Sequence, residues 1–217
     1  MTSNVTKLLE FMSKIGQLKR VKRTGWVLRR VQEPESVSDH MYRMAIMSML
    51  LTPEKYPNID KERCIKLALV HDMAECIVGD IAPADGISKE EKHKREQNAM
   101  SELGDLIADE ETQKEIHGLW EEYEHQSSEE AKVVKDLDRF EMVLQAHEYE
   151  VQENRPGELQ DFFDSTKGKF QHPGVQEWVD QLYSNRDKHL QTKSSHNPKK
   201  QKLDRTSNTQ ATDSESS

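Results

Sequence analysis

Apolar positions recur at helical spacing along nearly the whole chain, and the alternation of a half-buried strand is almost nowhere to be found. Val5, Leu8, Leu9, Met12 and Ile15 make one such stripe. A second helix is expected from Ser36, where Ser36 and Asp39 have the spacing of a capping box, through MYRMAIMSMLL to the break at Thr52-Pro53. A third begins near Asp60 and carries LALVHDMAECIVGD, residues 67 to 80, with Gly79 and the APADG stretch at 82 to 86 ending it. The run Leu67, Ala68, Leu69, Val70 reads as an element surrounded by protein. Ser88 and Glu91 open a charged helix reaching about Leu103, and Ile116, Leu119, Trp120 and Tyr123 mark a shorter amphipathic one. Ser127 and Glu130 are spaced to cap the next, which continues through VVKDLDRFEMVLQAHEYE to about Glu153 and is broken by Arg-Pro-Gly at 155 to 157. DFFDSTKGKFQHPG reads as irregular, and Val175 to Tyr183 as the closing helix. The expected fold class is all-α, a single helical bundle over residues 1–190. A low-complexity polar tail over 191–217 has too few apolar residues to pack and is expected to be disordered.

Polar residues interrupt that pattern at inward positions. The run at 67 to 70 is followed by His71, Asp72, Glu75 and Asp80, and a charge placed there needs a partner or a metal. His40 stands four, seven and eleven residues before Met44, Met47 and Leu51, so its imidazole points into the core. His71 and Glu75 are four apart and share a helix face, with Asp72 projecting about 100° around from His71. Asp138 falls four after Val134 and four before Met142. Taken singly, each has an ordinary reading: His40 as a hydrogen-bonded core residue, Asp138 as an acid paired with Lys135 or Arg139. Taken together, His40, His71, Asp72 and Asp138 supply two imidazoles and two carboxylates from three helices, a donor set for a divalent ion. Imidazole suits Zn, Fe, Co or Ni, and carboxylate extends the range to Mn and Mg. Four protein ligands on a six-coordinate ion would leave room for water and a substrate oxygen.

Composition narrows the class without naming the chemistry. A chain of 217 residues with 34% hydrophobic and 33% charged residues suits one soluble helical domain with a charged surface. No apolar stretch approaches the ~20 residues of a membrane span, and MTSNVTKLLEF lacks a signal peptide's pattern, so an intracellular protein is expected. Cys64 and Cys76 read as reduced core residues. A net charge of -9 argues against binding a nucleic acid polymer. GQLKRVKRTGWVLRR at 16 to 30 nevertheless crowds Lys and Arg around one Trp. Composition alone favours a solvated connector there over a phosphate-contacting segment. Lys199, Lys200, Lys202 and Arg205 can be read as a weak nuclear-import patch, but Asp204 interrupts it, which favours a plain solvated tail. The expected compartment is the cytoplasm, with the nucleus as the lesser alternative.

The order His, then His-Asp, then Asp, with the stretches ESVSDHMYRMAIMSML, LALVHDMAECIVGDIAPADGISKEEKHKRE, LWEEYEHQSSEEAK and LDRFEMVLQAHEYE, closely resembles the HD-domain metal-dependent phosphohydrolases. Among them it resembles the 5′-deoxynucleotidases over roughly residues 5 to 185. The pattern HDxxExxxxGD is far more specific than a His-Asp pair. The resemblance assigns His40, His71, Asp72 and Asp138 to the metal, which would be Mn, Co, Zn or Mg. It implies that Glu75 and Asp80 serve acid/base chemistry, substrate positioning or a second divalent ion, with the backbone carbonyl of Ile81 as a further ligand. Trp26 matches a Trp placed against the nucleotide sugar, where an aromatic wall can exclude a 2′-hydroxyl; ordinary packing is its other reading. Bacterial relatives carry Arg immediately before that Trp, whereas this chain has Gly25. The phosphate contact then falls to Arg23, Arg29, Arg30 or Lys92, which the sequence does not rank. The implied reaction is hydrolysis of a 2′-deoxyribonucleoside 5′-monophosphate to the deoxynucleoside and phosphate, by a homodimer without a membrane partner. Two alternatives remain at this point: a phosphohydrolase acting on cyclic nucleotides or triphosphates, and a non-catalytic helical binding module.

Overall fold

Helix ends fall where side chains can satisfy the free backbone groups of a helix terminus. The computed structural model describes residues 3–195, and in it Ser36 accepts from the amide of Asp39 while Asp39 accepts from that of Ser36, the full capping box. Asp60 accepts from the amides of Glu62 and Arg63, and Ser88 from that of Glu91. The helices so bounded are α1 (Asn4–Ile15), α2 (Thr24–Leu28), α3 (Val37–Met49), α4 (Lys61–Val70), α5 (Glu75–Val78), α6 (Lys89–Gly104), α7 (Glu110–His125), α8 (Glu129–Gln152), α9 (Gln160–Thr166) and α10 (Pro173–Ser195). Among the described residues there is no strand, only a lone bridge between Lys22 and Ser36. The all-α expectation holds.

Long α8 is the axis. It packs on α3, α4, α7, α9 and α10, and α3 lies along α4. Met44, Leu67, Val134 and Leu137 are fully buried where these helices meet, so the periodic apolar faces found in the sequence are the ones that form the core. The cap of α8 is Ser128, whose hydroxyl accepts from the amide of Ala131. Ser127, one residue earlier, has its amide committed to the carbonyl of Glu122 in closing α7.

Other expectations change as well. The helix through the HD motif is broken: α4 stops at Val70, and the amides of Met73, Glu75 and Cys76 bond to carbonyls three residues back, a tighter winding than α. His71 and Glu75 therefore sit on successive elements and not on one face of one helix. Leu69 is 47% exposed, so the run from 67 to 70 is not wholly enclosed. The stripe of α1 is likewise turned outward at Val5, Leu8, Leu9 and Met12, and α1 packs inward through Phe11 and Ile15. The stretch read as irregular contains α9, which buries Phe163.

The closing helix is also far longer than its apolar pattern. Beyond Tyr183, α10 is anchored by Arg186, which donates to both carboxylate oxygens of buried Glu150 at 2.8 and 2.9 Å and to Gln160. A charged pair, invisible to an apolar count, extends the packed part of this helix. It runs past residue 190, where the domain was expected to end. The rest of the expected tail, 196–217, with its Lys and Arg cluster, lies outside the described residues.

Candidate metal centre

Three elements converge on one point. His40 comes from the first turn of α3, His71 and Asp72 from the turn that ends α4, and Asp138 from the middle of α8. Nε2 of His40 lies 3.3 Å from Oδ1 of Asp138 and 3.9 Å from Oδ2 of Asp72. The same Asp72 oxygen is 3.1 Å from Nε2 of His71. Both imidazoles are buried, and neither Nε2 has a hydrogen-bond partner. Their other nitrogens are committed: Nδ1 of His40 to Glu141 at 2.6 Å, Nδ1 of His71 to the carbonyl of Ala68 at 2.9 Å. A carboxylate and a carbonyl can only accept, so Nδ1 carries the proton in each ring and Nε2 presents its lone pair to the gap. Buried lone pairs without a donor are costly, and a divalent ion satisfies two of them together with two carboxylates. The residues present fit such an ion.

The charges agree. Against the burial that would raise them, His71 and Arg23 hold the Asp72 carboxyl below its usual range, and Lys135 with His40 holds that of Asp138 well below. At His40, Glu141 and Asp138 outweigh burial and Arg23 and raise the ring to about 9, so its Nε2 lone pair is favoured to take up positive charge, from a proton or from an ion that replaces it. The pocket attracts positive charge.

Asp138 divides its oxygens. Oδ2 accepts from the hydroxyl of Tyr123 at 2.7 Å and from Lys135 at 2.8 Å, leaving Oδ1 facing His40. Its ordinary reading as the partner of Lys135 is what Oδ2 shows, and the ligand reading concerns the other oxygen, so the two are compatible.

Around this core the remaining expected residues take distinct places. Glu75 is 2% exposed with one carboxylate oxygen unpartnered, and burial, Asp72 and Asp80 push its pKa well above the ordinary carboxyl value. Asp80 is a brace: its carboxylate accepts from the Thr24 amide and its carbonyl from the Thr24 hydroxyl, both at 2.6 Å. That clamp fixes the segment carrying Arg23, whose guanidinium reaches Oδ2 of Asp72 at 3.3 Å and is held charged by Asp72, Asp80 and Asp138. Ile81 follows Asp80 and is partly buried. Lys92 pairs with Glu96 at 3.1 Å, with Asp72 and Glu75 adding to its charge stabilisation. Arg29 is engaged with Asp161 at the surface, and Arg30 is exposed. The unranked set of cations is therefore ordered by the fold, with Arg23 at the centre and Lys92 beside it.

Trp26 is 2% exposed, packed against Phe162 with ring centres 4.4 Å apart and edge-on to Tyr149 at 5.4 Å. Its indole N–H donates to Glu35 at 2.8 Å. The ring fills the core and offers no open face, so of its two readings the packing one describes this structure. Sequence reasoning did not pick out Glu35, Arg43, Tyr123 or Glu141. The spacing held a signal for two of them, since Arg43 and Glu141 each stand three residues after a candidate ligand, His40 and Asp138, and so share its side of the helix.

An HD-domain model matches residues 15–178. The chain belongs to the HD-domain family, whose members are metal-dependent phosphohydrolases. It is 60% identical over 187 residues to the 5′-deoxynucleotidase HDDC2 of Mus musculus, covering 86% of this chain and 92% of the mouse protein. It is 40% identical to the 5′-deoxynucleotidase YGK1 of Saccharomyces cerevisiae, covering 82% of each. Among solved structures, PH0347 from Pyrococcus horikoshii superposes with a TM-score of 0.67 at 32% identity, covering 81% of this chain and 96% of that one.

Proposed function

We propose that this HD-domain protein is a 5′-deoxynucleotidase, releasing phosphate from 2′-deoxyribonucleoside 5′-monophosphates. The observation that carries the reading is the pair of buried, unpartnered Nε2 atoms of His40 and His71 facing the carboxylates of Asp72 and Asp138. The relatives named 5′-deoxynucleotidase, from mouse to yeast, support the substrate class. His40, His71, Asp72 and Asp138 would hold the ion, and the imidazole share favours Co or Zn over Mn or Mg. A divalent ion held by these residues would supply positive charge against the phosphoryl oxygens and would lower the pKa of a bound water.

The chain's own groups do the positioning. Arg23, already charged and aimed at Asp72, supplies a guanidinium to the phosphate oxygens, and Lys92 a second cation at the rim. Asp80 holds the Arg23 segment through Thr24. Glu75, buried with one unpartnered carboxylate oxygen and with its pKa pushed well above the ordinary carboxyl value by burial, Asp72 and Asp80, is the group suited to exchanging a proton with the leaving 5′-oxygen. No Ser or Cys nucleophile is required, because phosphoryl transfer asks mainly for alignment and charge neutralisation. The deciding experiment is phosphate release from matched deoxy- and ribonucleoside monophosphates after chelation and reloading with Mn, Co, Zn or Mg. Turnover of cyclic nucleotides or triphosphates in preference to the monophosphates would overturn the substrate assignment.

The assembly we propose is a homodimer. Leu8 and Met12 of α1, Tyr42 of α3 and Leu69 of α4 are each about half exposed or more, and Met12, Tyr42 and Leu69 border one groove of about 360 Å³. A second copy of the same face would cover it. Leu8→Glu should yield monomers by light scattering; an unchanged mass would remove this face from the assembly. Among the described residues no helix is long and apolar enough to cross a membrane, and the two buried cysteines are free, which supports a reducing intracellular compartment.

A further inference from the structure

The two imidazoles of the centre are held differently. His71 donates its Nδ1 proton to a neutral acceptor, the Ala68 carbonyl, whereas His40 donates to a carboxylate, Oε2 of Glu141, at 2.6 Å. Glu141 is fully buried, and its other oxygen is gripped by Arg43, whose Nε and one terminal nitrogen donate to Oε1 at 2.8 and 2.6 Å. Arg43 in turn is held by Glu148 and Gln145 at 2.6 Å each, and its side chain is 28% exposed. A continuous chain of charge-assisted hydrogen bonds thus runs from Glu148 at the surface through Arg43 and Glu141 to His40.

We propose that Glu141 is a positioning residue for the metal centre: it fixes His40 as the Nδ1–H tautomer and strengthens Nε2 as a donor, and Arg43 locks Glu141 in that geometry. The inference rests on the reading of His40, His71, Asp72 and Asp138 as the metal site. A carboxylate behind an imidazole ligand orients the ring and raises its basicity, which a carbonyl does less strongly. Each oxygen of Glu141 has a separate duty, so an amide cannot replace it. In Glu141→Gln the single remaining acceptor can serve His40 or Arg43, while the NH₂ group faces a donor on the other side.

The test is metal affinity, measured on the full chain by competition with a chromophoric chelator, together with the visible spectrum of the cobalt-loaded protein. Glu141→Gln should weaken binding about 10- to 100-fold, the range seen when such supporting groups are removed, and should alter the cobalt spectrum. Glu141→Asp, which keeps both oxygens, should recover part of the affinity. Arg43→Met, at the partly exposed end of the chain, should loosen binding in the same direction but less, and provides the reading if Glu141→Gln does not fold. Wild-type protein that binds no ion would overturn the metal centre and this inference with it. Wild-type protein that binds tightly, with folded Glu141 and Arg43 variants binding equally well and giving an unchanged cobalt spectrum, would overturn this inference alone.

Discussion

Nε2 of His40 lies 3.3 Å from Oδ1 of Asp138, although α4, α5, α6 and α7 separate the two residues along the chain. That closeness requires α3 and α8 to pack directly, and it ties the metal reading to a simple loss. Asp138→Ala should purify without its tightly held divalent ion and without phosphatase activity, and Asp72→Ala should do the same. Elemental analysis beside a phosphate-release assay checks both; full activity in a metal-free variant would refute the centre.

Glu75 separates proton transfer from metal holding. Glu75→Gln keeps the size of the side chain and removes the transferable proton, so the ion held by the His and Asp ligands should remain. Turnover should fall about 10²-fold or more, the scale for losing a general acid or base. A variant retaining both its metal and most of its kcat would exclude Glu75 from proton transfer. Loss of a second, weaker ion would instead make it a ligand.

Arg23 meets Asp72 at 3.3 Å within a cluster of acids. Arg23→Met removes the guanidinium from the phosphate and from Asp72 together, so KM for the monophosphate should rise and kcat should fall. Arg29→Met, remote from the cluster, is the control and should leave both near wild type. Equal effects from the two substitutions would show that neither touches the phosphate.

Trp26 tests a role against a place. With 2% of its surface exposed, Trp26→Ala should destabilise the fold by about 3–5 kcal/mol in urea titration, the cost of truncating a buried Trp. Trp26→Phe keeps most of the ring while freeing Glu35 of its donor. The ratio of deoxy- to ribonucleotide kcat/KM should stay as it is in that variant. A narrowed ratio would return the indole to the sugar.

At the far end of the bundle, Arg186→Met should cost about 3–5 kcal/mol of stability, because it strands the buried Glu150 carboxylate without its ion-pair partner. Arg186→Met with Glu150→Gln should recover part of the loss. Denaturant midpoints of these two variants and of Glu150→Gln alone decide the matter, and additive losses would mean that the pair does not act as a unit.

The sequence by itself determined the all-α class and the faces of α3, α7 and α8, because burial of an apolar stripe every three to four residues is a local requirement of a packed helix. It also singled out the proposed donor set. His40, His71, Asp72 and Asp138 stood out as polar residues at core positions, and a buried polar group needs an explanation whatever the fold. What lay beyond it were relations between residues distant in the chain. The grip of Arg43 on Glu141, the clamp of Asp80 on Thr24 and the anchoring of α10 by Glu150 each depend on which elements become neighbours. The same holds for the outward turn of the α1 stripe and the burial of Trp26. An apolar or charged side chain carries no local record of what faces it; only the tertiary packing assigned the partners, and with them which cation stands beside Asp72.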